Sequence, residues 1–296
     1  KNLKKQSGHV QLLALSRADR FADGVPFKDW MKKFASSPIQ AAAVNGHADM
    51  LDHLKTATEK DSWFVPKKEA LGKTAAAGHL SCIKWLESNF PWLPCSKATI
   101  DVAAKSGHLS VVEWLHASRR AGTRSRDVMK LAARGGHLHI MKWLHCHRER
   151  NCSACISVFA AAGGHIPVLE WLFQQNPMAG CSDQALDAAI AGGHLSVAEW
   201  LAASYRFSVC TEESASIAAA YGHLSLLKWL FRRMGARQHG IQAQAMDLAA
   251  MKGHLSVIEW CHAKGQAFKC TPRAMDNAAM HGHLSVVEWL HANRTE

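Results

Sequence analysis

From about residue 70 onward, apolar and polar positions alternate between two kinds of segment. An Ala-rich stretch runs up to a Gly-His pair, and a strongly apolar run follows, as in DVAAKSGHLSVVEWLH, LAARGGHLHIMKWLH and NAAMHGHLSVVEWLH. Gly-His pairs begin at Gly8, Gly46, Gly78, Gly107, Gly136, Gly164, Gly193, Gly222, Gly253 and Gly282, and the last eight are 28 to 31 residues apart. Self-similarity at a fixed period of this size marks a repeat array, in which each repeat buries its core only against its neighbours. Seven residues beyond each of those eight glycines stands a Trp: Trp85, Trp114, Trp143, Trp171, Trp200, Trp229, Trp260 and Trp289. Eight of the eleven tryptophans therefore share one repeat position.

The pattern predicts two antiparallel helices per repeat. The first ends at the Gly, which adopts the left-handed conformation of a helix C-terminus at little cost. Three residues later comes Ser81, Ser110, Ser196, Ser225, Ser256 or Ser285, and in four cases a Glu follows at the next third position (Glu113, Glu199, Glu259, Glu288). This spacing reads as a capping box opening the second helix. Pro167 at the Ser position of another repeat suits a first helical turn. The apolar slots two, four, five, seven and eight residues past the Gly cover more than one helix face, so the second helix is expected to pack against both neighbouring repeats. The first helix carries Ala pairs (Ala103-Ala104, Ala132-Ala133, Ala160-Ala161, Ala249-Ala250, Ala278-Ala279) whose small side chains admit close helix approach and curve the array toward that side. With adjacent helices about 8 to 10 Å apart, ten such pairs would extend roughly 100 Å along a concave surface.

The Ala-Ala-x-x-Gly-His sequence followed by a Val-Val-x-Leu-Leu-type helix resembles the ankyrin repeat, and the resemblance covers nearly the whole chain. Two features depart from that family. The period is about 29 residues against about 33, and the TPLH start is replaced by stretches such as ATIDVAA, DVMKLAA and RAMDNAA. The family's projecting β-hairpin fingers come from the missing residues. The expected fold is therefore an all-α, ankyrin-like helical repeat solenoid of about ten antiparallel helix pairs, with short loops and no β-hairpin fingers. Leucine-rich repeats have similar periods but need an L-x-x-L-x-L strand, and no repeat contains one. One solenoid over 1–296 is expected, with irregular N-terminal capping repeats in 1–65 and regular repeats of about 29 residues in 66–296. At the C-terminal end, the apolar face of Val286, Val287 and Leu290 lacks a polar cap, as expected where more repeats follow or where the face makes a contact.

Charge adds a bias toward acidic partners: Lys and Arg outnumber Asp and Glu by 35 to 24, a formal +11. Between Glu113 and Arg150 lie Arg119, Arg120, Arg124, Arg126, Lys130, Arg134, Lys142, Arg148 and Arg150 against Glu113, Asp127 and Glu149. No stretch reaches the 18 apolar residues of a membrane span, and the opening KNLKKQSGHV lacks a signal-peptide core. Nine cysteines are too few for a disulfide scaffold and suit a reducing compartment, so an intracellular place, cytoplasm or nucleus, is expected. A chain starting at Lys1 is also compatible with a removed targeting segment.

Repetition reassigns most of the residues that first suggest chemistry. The ten His of the Gly-His pairs read as scaffold, not as a metal or proton-relay array. Glu113–His116, Glu259–His262 and Glu288–His291 copy the Glu-x-x-His of di-iron bundles, but they recur once per stacked repeat and do not converge. Cys95, Cys152, Cys181, Cys210 and Cys270 all precede a Gly by twelve residues and read as half-buried positions at the start of the first helix. Cys146, His147, Cys152 and Cys155, in HCHRERNCSAC, are four soft ligands within ten residues and form the one weak zinc candidate. A structural zinc site normally joins separated segments, so no metal or other cofactor is expected. No Gly-rich phosphate loop, H-E-x-x-H motif or outstanding nucleophile marks an enzyme.

Function then rests on the slots that vary. The two residues before each Gly, at the groove end of the first helix, include Lys105, Arg134, Tyr221, Met251, Lys252, Met280 and His281, and the loop residues Arg119, Arg120 and Arg124 add positive charge. These are the candidate partner-binding residues of a non-catalytic protein-interaction scaffold that reads an acidic protein surface along its concave face. A basic solenoid binding nucleic acid is the alternative; the tryptophans, taken as core, leave it no stacking platform. The resemblance admits both cellular scaffolds and pathogen effectors acting on a host protein. It fixes no oligomeric state, and a membrane partner is not expected.

Overall fold

A computed structural model describes residues 37–58, 65–118, 125, 127–147, 155–175, 183–204, 212–234, 243–264 and 271–293. The Gly8-His9 pair, Arg119, Arg120, Arg124 and Cys152 lie outside these residues. Among the described residues the structure is all α, with eighteen helices in nine pairs. In order they are α1 (Pro38–Val44), α2 (Ala48–Thr58), α3 (Ala70–Ala77), α4 (Leu80–Asn89), α5 (Lys97–Ser106), α6 (Leu109–Ala117), α7 (Val128–Gly135), α8 (Leu138–Cys146) and α9 (Cys155–Gly163). They continue as α10 (Ile166–Gln175), α11 (Asp183–Ala191), α12 (Leu195–Ser204), α13 (Glu212–Ala220), α14 (Leu224–Met234), α15 (Ala243–Met251), α16 (Leu255–Ala263), α17 (Pro272–Met280) and α18 (Leu284–Asn293). The chain divides into two compact units, Lys1–Ala132 and Ala133–Glu296.

Each pair turns at its Gly. All nine described Gly-His glycines have φ between 75° and 90°, the left-handed region that a Cβ disfavours. At Gly107 the turn closes in Schellman fashion: the His108 amide donates to Ala103 O (3.0 Å) and the Gly107 amide to Ala104 O (3.4 Å). The predicted helix stop is therefore present at the predicted residue.

The predicted capping box is not. The second helices begin one residue past the His, at Leu80, Leu109, Leu138 and Leu255, and His79, His108, His137 and His254 are their N-caps without a side-chain cap bond. Ser110 thus sits second in α6 and Glu113 fifth, out of register with the amide groups that a capping box serves. The Gly-His turn delivers the chain into the helix earlier than the Ser-Glu spacing suggested. Pro167 falls second in α10, inside a first turn that tolerates it. A side-chain cap does occur at the first helix of the last pair, where Thr271 Oγ1 accepts from the Arg273 amide (3.3 Å) ahead of Pro272.

The core follows the repeat. Residues four past the Gly (Cys82, Val111, Ile140, Val168, Val197, Leu226, Val257, Val286) are at most 1% exposed, and those eight past it are buried too, from Leu86 to Leu290. Within each unit, first helices pack on first helices more intimately than second helices on second: α1 on α3 and α3 on α5 in the first unit, and α9 on α11, α11 on α13, α13 on α15 and α15 on α17 in the second. Ala103, Ala104, Ala160, Ala161, Ala189, Ala219, Ala249 and Ala250 are fully buried at these contacts, where a larger residue would hold the backbones apart.

The tryptophans are displaced from the place assigned to them. Only Trp171 counts as buried; Trp85, Trp114, Trp143, Trp200, Trp229, Trp260 and Trp289 are half-exposed at the rim of the second helices. The end of the last pair differs as well. Val286 and Leu290 are buried and Val287 is half-exposed, while Met280 and Leu284 are the exposed large apolar residues there, at 77% and 66%.

Candidate interaction face

Six histidines of the Gly-His pairs tie their repeat to the one before it. His108 Nε2 bonds Ala76 O (2.9 Å) in the first unit; in the second, His165, His194, His223, His254 and His283 bond Arg134 O, Ala162 O, Ala191 O, Ala220 O and Met251 O at 3.0 to 3.1 Å. Every acceptor lies two residues before a Gly, among the carbonyls that a helix C-terminus leaves without an intrahelical donor. The ring itself fills the space over that Gly. A Cβ on Gly193 would lie 2.7 Å from the His223 ring, and one on Gly222 2.6 Å from His254 Nδ1. Gly is required here both by its φ and by its neighbour, and the scaffold reading of these histidines fits the geometry.

A second tie joins acidic residues of the first helices to hydroxyls at the head of the following repeat. Ser214 Oγ donates to Asp187 Oδ1 (2.7 Å), and Thr271 donates to Asp247 through Oγ1 (2.6 Å) and its amide (3.2 Å). Burial pushes the Asp187 carboxyl above its ordinary range; the Ser214 hydroxyl opposes the rise, and Glu213 and Asp183 add to it. Asp101 is raised in the same way by burial, against a hydrogen bond from Ser125. A third tie runs along the rim. His145, Phe173, Phe231 and His262 each present a ring roughly perpendicular to the Trp of the next repeat, Trp171, Trp200, Trp260 and Trp289, at 5.1 to 6.3 Å.

What these ties leave outward is the row of turns. Lys105 is exposed at the end of α5 in the first unit. In the second unit Arg134, Tyr221, Lys252, Met280 and His281 are exposed and Met251 is half-buried. Tyr221 lies parallel to His223 (6.3 Å, 8°), and His281 parallel to His283 (6.4 Å, 8°), so His223 and His283 also back an outward ring. Ile217 and Leu248 are half-exposed one helical turn before Tyr221 and Lys252, hence on the same face. They were missed in the sequence, although the i, i+4 spacing from the chosen slots was there to be read. The face combines an apolar floor with cations and stacked rings.

The zinc candidate is only partly described. Cys146 and Cys155 are exposed free thiols. His147 stacks on Trp143 (3.9 Å, 25°) with Nδ1 bonded to Trp143 O (2.8 Å). Among the described residues no three His, Cys, Asp or Glu side chains gather as a metal site, and no helix is long and apolar enough to cross a membrane.

Against known families, residues 157–202 and 246–291 match the profile of ankyrin repeats. Each matched stretch spans two helix pairs, α9 to α12 and α15 to α18. No curated protein sequence matches the chain. Ankyrin repeats are generally protein–protein interaction modules and typically non-catalytic. These two stretches of the chain match ankyrin repeats, and the other described repeats share their helix-pair geometry.

Proposed function

We propose that the chain is a non-catalytic scaffold that binds an acidic protein surface along the turn and first-helix face of its second unit, the side that the Ala-rich helices are expected to make concave. The supporting observation is a division of labour. Gly, His, Trp and the buried aliphatics are consumed by contacts between repeats, whereas Arg134, Tyr221, Lys252, Met280 and His281 vary from repeat to repeat and point outward. Aromatic and cationic residues beside an apolar floor have the composition of an interface centre. Lys105 in the first unit is a further candidate on the equivalent face.

The test is affinity capture with mass spectrometry using the wild-type chain and the charge-reversed variant K105E/R134E/K252E. The variant is expected to lose a protein retained by the wild type, with its thermal midpoint unchanged. Retention of the same protein by the variant would refute the assignment to this face. The net charge of +11 favours a second reading, nucleic-acid binding. That reading requires generic RNA or DNA to bind with an affinity that falls steeply as salt is added.

A further inference from the structure

Among the described second helices α14 carries the most Lys and Arg, three of them, and no Asp or Glu. Six residues past the Gly, where Glu113, Glu170, Glu199, Glu259 and Glu288 stand in five other repeats, α14 has Lys228, as α4 has Lys84 and α8 has Lys142. Ten and eleven residues past it, where α12 has Ala203 and Ser204, α14 has Arg232 and Arg233. The next second helix, α16, adds Lys264 at its end. Arg232, Arg233 and Lys264 are exposed and Lys228 is half-exposed. None of the four makes an ion pair with a described carboxylate.

Their positions are organised. Lys264 Nζ sits 5.8 Å from the centroids of both Phe231 and Trp260, and the Arg233 guanidinium 5.6 Å from that of Trp229. Arg233 also donates to Ala202 O (3.1 Å) at the end of α12, while Arg232 Nε donates to Lys228 O (3.3 Å). Cation–aromatic contact restricts these long side chains before any partner arrives, which lowers the ordering cost of binding. Lys228 and Arg232 are one turn apart on the same helix face.

We propose that the outward face of α14, with the end of α16, is a second binding surface of the second unit, separate from the turn row, and that it takes a carboxylate-rich protein segment. Charge complementarity identifies the class. Cations that form no ion pair with a described carboxylate accept anions, and the guanidinium fork of Arg232 suits a carboxylate pair. A nucleic acid strand fits less well: Phe231 and Trp260 meet edge-on, and Trp229, Phe231 and Trp260 are already engaged by cations that a stacking base would compete with.

The consensus of the chain supplies the test variant. K228E/R232A installs the residues found at the equivalent places in α16, Glu259 and Ala263, and spares Arg233 and Lys264, which make the packing contacts. Fluorescent poly-glutamate of about 20 residues and a single-stranded RNA of equal charge would be titrated into the wild-type chain, K228E/R232A and a charge-matched control, K84E/R273A. Poly-glutamate is expected to bind the wild type and the control alike and K228E/R232A at least tenfold more weakly, with one thermal midpoint for all three. Equal weakening in both variants would overturn the proposal, because net charge alone would then explain binding. RNA binding tighter than poly-glutamate and lost in K228E/R232A would overturn the partner class. A turn-row variant with the same charge change as the control, R134E/K252A, is expected to bind poly-glutamate with no more loss than the control, which separates this test from that of the turn row.

Discussion

His254→Asn sets two accounts of the repeated histidine against each other. As an isolated N-cap, Asn is better than His, and the change would stabilise α16 by up to about 1 kcal/mol. In the structure His254 does something else as well. Its Nε2 bonds Ala220 O (3.1 Å) in the preceding repeat, and the ring lies over Gly222. Loss of that bond costs about 1 kcal/mol, and loss of the half-buried ring's packing about 1 kcal/mol more. The expected net effect is destabilisation by about 1 kcal/mol, read from urea unfolding followed by circular dichroism. Gly222→Ala in the same background sharpens the test. Alone it adds the left-handed strain of a Cβ at φ 76°, roughly 1 to 2 kcal/mol, and displaces a ring whose Nδ1 would be 2.6 Å away. With Asn at position 254 only the strain remains, so the double variant should be more stable than the sum of the single effects by about 0.5 kcal/mol or more. A His254→Asn protein as stable as wild type, or additive single effects, would refute the tie between repeats.

Two further outcomes follow from the same geometry. The Asp187 carboxyl is raised by burial, so the folded chain holds its proton more tightly than the unfolded chain does; this contribution favours folding at acidic pH and is lost as pH rises through the folded value. Asp187→Asn keeps an acceptor for Ser214 and removes the buried charge. It should therefore be at least as stable as wild type at pH 7, with its relative advantage shrinking as pH falls toward the ordinary Asp range near 3.9; a pH-independent loss of stability would contradict the burial argument. For the cysteines, elemental analysis of the protein purified at neutral pH is expected to find no stoichiometric zinc, and one zinc per chain, lost in Cys146→Ser, would instead establish the HCHRERNCSAC site.

The sequence by itself determined the repeat, its period, the two helices in each pair and the conformation of the Gly between them. Those features depend on forces acting within about ten residues: the φ restriction imposed by a Cβ, and the 3.6-residue spacing that puts positions four and eight past the Gly on one buried face. The turn residues were legible as candidates for the same reason, being the variable slots in an otherwise uniform pattern. Tertiary structure alone decided what the uniform residues do. His254 meets its acceptor 34 residues upstream and Ser214 meets Asp187 27 residues upstream, distances at which local spacing says nothing about partners. Ser110 and Glu113 have capping-box spacing, yet the Gly-His turn starts α6 at Leu109, which takes them out of register. Trp260 is as apolar in the sequence as Leu230, but Leu230 is enclosed by its neighbours, whereas Trp260 lies at the rim, edge-on to Phe231. Hydrophobicity requires that an apolar side chain be covered; how fully it is covered depends on the repeat stacked beside it.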